Sequence, residues 1–234
     1  MLTGALSERS PLLDCVEFEI GSNPRATVVW LHGLGGDGFQ SEPLIRQLTR
    51  SAELSLRFVC PYAPFRTVSL CGGQRMRAWY DLRDVDRQRR QDEPSIRESS
   101  AAVCALIDRE AERGIPSARI VLGGFSQGGA IALLTGTRLA KPLAGIVALS
   151  CYPLLAGTFA AERQAANQYT PIFLAHGASD PVIDFRIGEK MRDWLEAGGY
   201  AIEWRSYRMG HELREGELIA VAAFMRHALS LALR

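Results

Sequence analysis

Apolar and polar positions along this chain sort into two kinds of run. Short runs rich in β-branched and other apolar residues predict strands at Cys15–Ile20, Ala26–Leu31, Leu56–Cys60, Arg119–Gly123, Gly145–Leu149, Pro171–Ala175 and Ala201–Tyr207. Longer amphipathic runs predict helices at Glu42–Glu53, Pro94–Arg113, Gln127–Leu139, Arg186–Ala197 and Glu215–Leu229. Val28-Val29-Trp30-Leu31 and Ile120-Val121-Leu122 do not alternate with polar residues, which marks strands covered on both faces. Strand–helix alternation needs crossover connections, so the pattern predicts an α/β fold: a mostly parallel central sheet with helices on both faces. No repeat, low-complexity tract or Gly/Ser/Pro-rich linker divides the chain, and residues 1–234 read as one domain. The longest stretch without a predicted element is Pro61–Glu93. Irregular connections of that length are uncommon unless functional, so it is expected to shape a substrate site.

Composition changes this picture mainly by exclusion. The 27 basic and 26 acidic residues give a formal charge of +1, which leaves no basic excess to bind nucleic acid or anionic lipid. The dense charge run from Asp81 to Glu93 mixes both signs and reads as a solvated loop. Met1–Pro11 lacks the basic and apolar regions of a secretory signal. No apolar run reaches the roughly 18 residues of a membrane-spanning helix, so no integral membrane association is expected. Cys15, Cys60, Cys71, Cys104 and Cys151 are scattered and form no CxxC pair. They read as free thiols of a cytoplasmic protein. His32, His176, His211 and His227 show no metal-ligand spacing.

The chemistry concentrates at Gly124-Phe125-Ser126-Gln127-Gly128. This G-x-S-x-G pattern follows a strand-like run and opens an apolar helix, the strand–turn–helix setting of a nucleophile elbow. The turn is tight, so glycines two residues either side of the serine avoid clashes, and the helix N-terminus offers N–H groups to a developing oxyanion. A serine hydroxyl needs a base. The fold orders the triad Ser, acid, His. His211 lies in a loop after the last predicted strand, where open α/β sheets gather their sites. His227 sits within the last helix and reads as a surface residue, and His176 ends a strand and reads as structural. Asp180, on the loop leaving the strand Pro171–Ala175, is the preferred acid. Asp184, at the edge of the next helix, suits a cap. The backbone N–H groups of Gln127 and Leu34 are candidate oxyanion donors, the latter on the glycine-rich loop Gly33-Leu34-Gly35-Gly36-Asp37-Gly38. That loop also matches G-x-G-x-x-G, the dinucleotide fingerprint. No acid ends the following strand, and a dehydrogenase would leave Ser126, Asp180 and His211 unexplained.

Several stretches together resemble the phospholipase/carboxylesterase family, which includes the acyl-protein thioesterases and small bacterial carboxylesterases. They are Leu31–Gly36, Met76–Asp81, Gly123–Ala130, His176-Gly177 with Asp180-Pro181, and Met209–His211. The resemblance implies an α/β-hydrolase fold without a large lid domain, a Ser126–Asp180–His211 triad, oxyanion N–H groups from Leu34 and Gln127, and no metal or organic cofactor. Tyr62, Arg208, Glu212 and Arg214 depart from the family pattern and bear on substrate preference. Carboxylic ester hydrolysis is the expected activity, with small ester or thioester substrates and lysophospholipids as variants. A catalytically silent binding protein of the same fold is the rival. Leu70 and Trp79, in the long connection, are expected to line an apolar acyl-binding surface. Trp79 also matches the family's tryptophan near the active site, and a core aromatic is its other reading.

Overall fold

Strands that bury both faces must be sandwiched. In a computed structural model, which describes residues 12–49, 55–84, 86 and 90–233, they are. Seven strands form one sheet: β1 (Cys15–Ile20), β2 (Ala26–Leu31), β3 (Leu56–Pro61), β6 (Ile120–Phe125), β7 (Gly145–Leu149), β8 (Ile172–Gly177) and β9 (Ile202–Tyr207). Their order is β1-β3-β2-β6-β7-β8-β9. All neighbours run parallel except β1, which pairs antiparallel with β3 and closes one edge. At the other edge β9 carries the Glu203–Arg205 ion pair, a charge that discourages further strand addition.

Successive side chains of a strand point to opposite faces, and here both faces are apolar. Val29, Leu31, Ile120, Leu122 and Leu174 pack on one side against α2 (Glu93–Glu112), α3 (Gln127–Arg138) and α5 (Phe185–Ala197). Val28, Trp30, Val121 and Phe173 pack on the other against α1 (Glu42–Thr49) and α6 (Glu215–Ala232). A one-turn helix, α4 (Phe159–Glu162), lies between β7 and β8. The helix expected over Glu42–Glu53 is present to Thr49, and its last four residues lie outside the described residues.

The long connection departs from the sequence pattern. Within it β4 (Phe65–Val68) and β5 (Gln74–Arg77) form a separate antiparallel ribbon around a tight turn. Four-residue strands carrying Arg66, Arg75 and Arg77 are too short and too basic to register as strands by periodicity. The Arg77 guanidinium lies over the Tyr62 and Phe65 rings, 4.4 and 4.7 Å from their centroids, so its charge faces two aromatic π-systems.

Candidate active site

Ser126 sits between β6 and α3 with φ 55° and ψ −122°, a region that non-glycine residues avoid without strong support. The support comes from both sides. The Ser126 N–H donates to Leu149 O at the end of β7, and its carbonyl accepts the Ala130 N–H. The turn also brings α3 hard against β2. A Cβ on Gly128 would lie 2.2 Å from Leu31 O and 2.5 Å from His32 O, and one on Gly124 would lie 2.6 Å from the Gly128 backbone. Glycine is required at both places by contact with neighbouring backbone.

His211 follows β9, and its two ring nitrogens face different partners. Nδ1 is 2.7 Å from Asp180 Oδ2, and Nε2 is 2.9 Å from Ser126 Oγ. A carboxylate can only accept, so Nδ1 carries the proton; Nε2 is then bare and accepts the Ser126 hydroxyl. Asp180 is fixed in turn. Its Oδ1 accepts the N–H groups of Val182 and Ile183, each at 2.8 Å. Phe125 packs against the His211 ring at 4.8 Å. Asp184 instead caps α5, accepting the Arg186 N–H. His227 is exposed on α6.

His176 lies fully buried behind the carboxylate. Its Nε2–H donates to Ile183 O at 2.9 Å and stands 3.4 Å from Asp180 Oδ2, while Nδ1 meets no partner among the described residues. Burial lowers its pKa, so it flanks Asp180 as a neutral ring.

The loop after β2 brings Leu34 to the same cleft as Gln127. Among the described residues, the backbone N–H of neither meets a backbone acceptor. His32 shapes that loop from below. Its Nδ1–H donates to Gly33 O at 2.6 Å and its Nε2 accepts the Ala63 N–H at 3.0 Å. Both contacts require the neutral ring, and burial holds its pKa down. The cleft over Ser126 has a volume of about 300 Å³. Leu34, Leu82, Phe125, Tyr152 and Val182 form its walls around Ser126 and His211. An apolar pocket with a few convergent polar groups is the usual form of a small-molecule site.

The two residues expected to form an acyl surface lie elsewhere. Trp79 has no exposed surface; its indole Nε1–H donates to His32 O at 2.8 Å. Leu70 is exposed on the turn of the β4–β5 ribbon and does not line the cleft. Leu82 takes the wall position from the same connection, its carbonyl accepting the Leu70 N–H. Phe125, Tyr152 and Val182 were legible only through topology: each closely follows or ends a strand at its C-terminal end. The role of the Gln127 side chain had no sequence signal. Its Oε1 accepts the Trp79 N–H and its Nε2 donates to Tyr80 O, at 3.0 and 2.9 Å.

A mostly parallel sheet with a serine elbow after a central strand, and a histidine and a carboxylate after two later ones, defines an α/β-hydrolase. Residues 16–229 match the model of the Phospholipase/Carboxylesterase family, and the chain belongs to that family. It is 38% identical to acyl-protein thioesterase 1 of Neurospora crassa, over 96% of this chain and 94% of the relative. It is 39% identical to acyl-protein thioesterase 1 of Yarrowia lipolytica, over 78% and 82% of the two chains. Among solved structures it resembles Arabidopsis thaliana SOBER1, with a TM-score of 0.81 and 30% identity over 88% of this chain and 99% of that one. Esterase PE8 gives a TM-score of 0.80 and 28% identity over 94% and 100% of the two chains. These relationships set aside the dinucleotide reading of the glycine-rich loop.

Proposed function

We propose that the protein is a serine esterase that cleaves small carboxylic esters and acyl-thioesters through an acyl-enzyme on Ser126. The observation that carries this is the unbroken line Asp180 Oδ2, His211 Nδ1, His211 Nε2, Ser126 Oγ, with both links at hydrogen-bond distance. Relatives named as thioesterases and esterases support the substrate class. The hydrolase unit is read as a single domain. No helix among the described residues is long and apolar enough to cross a membrane, and five free cysteines support a reducing, cytoplasmic setting.

In the proposed cycle His211 takes the Ser126 proton as Oγ adds to the substrate carbonyl. Asp180 holds the ring in the useful tautomer and balances the imidazolium. The oxyanion meets the Leu34 and Gln127 N–H groups, which are fixed before substrate arrives; one such donor is worth about 10²–10³ in kcat. His211 then protonates the leaving alcohol or thiol, the ester bond breaks, and water repeats the sequence to free the acid. Treatment with a fluorophosphonate tests the reading. Mass added at Ser126, with parallel loss of nitrophenyl-ester hydrolysis, is the expected result. A silent binding protein would take no label and hydrolyse nothing.

A further inference from the structure

The two oxyanion donors come from different parts of the chain, and something must fix the distance between them. The Leu34 N–H belongs to the loop after β2; the Gln127 N–H belongs to the first turn of α3. A third segment, Arg77–Tyr80, is bonded to both. Toward the loop, Arg77 O accepts the Gly35 N–H at 2.8 Å, and the Trp79 indole donates to His32 O. Toward the elbow, the Gln127 side chain accepts from Trp79 N–H and donates to Tyr80 O. Trp79 O accepts the Ser99 hydroxyl from α2, which anchors the segment from behind.

We propose that Trp79 is a positioning residue: its indole N–H and its backbone N–H together form the strut that sets the Leu34 N–H against the Gln127 N–H. The inference rests on the function proposed above. Trp79 is fully buried and does not line the cleft, so it touches no substrate and acts through the donors alone. Its ring also packs against His32, with centroids 5.3 Å apart, and His32 in turn holds Gly33 O, one residue before Leu34. Both ring nitrogens of His32 are already occupied, Nδ1 by Gly33 O and Nε2 by the Ala63 N–H. Loss of the indole donor leaves His32 O buried without that bond, and the loop is free to relax toward another geometry.

The consequence is specific to the tetrahedral state. A misplaced donor costs transition-state stabilisation while leaving ground-state binding in the apolar cleft untouched. Trp79→Phe keeps the aromatic body and removes the N–H. With rates normalised to sites titrated to completion by fluorophosphonate, kcat is expected to fall roughly 10- to 100-fold, since displacement by about 1 Å can cost on the order of 10²-fold. KM for a short nitrophenyl ester stays within about twofold. The affinity for a trifluoromethyl ketone, whose Ser126 adduct places an oxyanion at the two donors, falls by the same factor as kcat/KM. Gln127→Met keeps the backbone donor and removes the clamp on Trp79. It is expected to show the same split, and the double variant to lose less than the product of the single losses, because both act on one circuit. It also carries the test if Trp79→Phe does not fold. A wild-type kcat per titrated site, or a loss confined to KM, overturns the strut. If Ser126→Ala retains esterase activity, the proposed function fails instead. If Ser126→Ala is dead and Trp79→Phe is normal, only the strut fails.

Discussion

The elbow around Ser126 and the long connection from Pro61 to Glu93 meet at the same site, yet they are held by different physics. The elbow is held by backbone. Its glycines press α3 onto β2 at distances that exclude a Cβ, and Ser126, with its positive φ, is pinned by backbone bonds to Leu149 and Ala130. Outside the β4–β5 ribbon, the connection is held largely by bonds in which at least one partner is a side chain, several of them to residues far away in sequence. Gln127, His32 and Ser99 supply the partners of Trp79, and Asp81 accepts from the backbone and hydroxyl of Ser69. A geometry enforced by close-packed backbone tolerates no added atom. One held by side-chain bonds tolerates change in graded steps. The contrast teaches where the site is rigid by necessity and where it can be tuned.

The sharpest way to break the comparison is to exchange a serine in each region. Ser126→Ala is expected to lower kcat about 10³–10⁶-fold, as when a triad serine is lost, with the thermal transition unchanged within a few degrees. Ser69→Ala, in the connection, removes one exposed bond to Asp81 and is expected to leave kcat within about twofold. Retention of more than a tenth of esterase activity in Ser126→Ala would falsify the nucleophile assignment.

Next in size comes the elbow backbone. Gly128→Ala would drive a Cβ to 2.2 Å from Leu31 O. The obstacle is the Leu31–His32 backbone, which cannot swing away as a flexible side chain would, so the expected loss exceeds ~3 kcal/mol, at the severe end for one substitution. Urea titration followed by circular dichroism measures it. A Gly128→Ala protein as stable as wild type would mean that the elbow is softer than its packing.

Trp79→Ala probes the connection at its deepest residue. Truncating a buried tryptophan costs roughly 3–5 kcal/mol of stability. Because Trp79 does not line the cleft, kcat/KM should fall by the same factor for acetate and octanoate esters. Leu82→Ala, which opens a cleft wall, should instead penalise octanoate about three- to tenfold beyond acetate, since each buried methylene is worth ~0.8 kcal/mol. A chain-length effect in Trp79→Ala, with none in Leu82→Ala, would return the acyl surface to Trp79.

The same contrast explains what the sequence made legible. The elbow could be read because its signals are local: an apolar strand, glycines at fixed offsets and an apolar helix start within eleven residues, Ile120–Ala130. The parallel sheet followed from doubly apolar strands, and Asp180 and His211 from the position of each after a strand. The connection could not be read in this way. For Trp79 the sequence leaves two readings open, an acyl-surface residue in a long irregular segment and a core aromatic; the structure buries it, with bonds to Gln127 and His32, 48 and 47 residues distant. Leu70 looked like a wall residue by its apolar character. The β4–β5 ribbon carries it outward, and nothing within four-residue strands announces that turn. Gln127 was read for its backbone alone, because an amide side chain in a helix's first turn has no pattern that names its partners.

The smallest expected effect lies at that turn. Gly72 ends the 3₁₀ turn Ser69–Cys71 with φ 65° and ψ 25°, the left-handed conformation that glycine enters without a steric penalty. A Cβ there would meet nothing within 4 Å, the reverse of Gly128. Only the backbone dihedral opposes a side chain, so Gly72→Ala should cost about 1 kcal/mol, the scale of placing one L-residue in that region. Gly72→Asn should cost less, because asparagine visits the left-handed region more readily. Neither variant should change kcat or KM, since the turn stands outside the cleft. Urea midpoints at constant slope give the two costs. If alanine and asparagine cost the same, the dihedral is not what the glycine supplies. A loss of several kcal/mol would show that the turn is packed as the elbow is, and the division between a backbone-locked and a side-chain-held half of the site would fail.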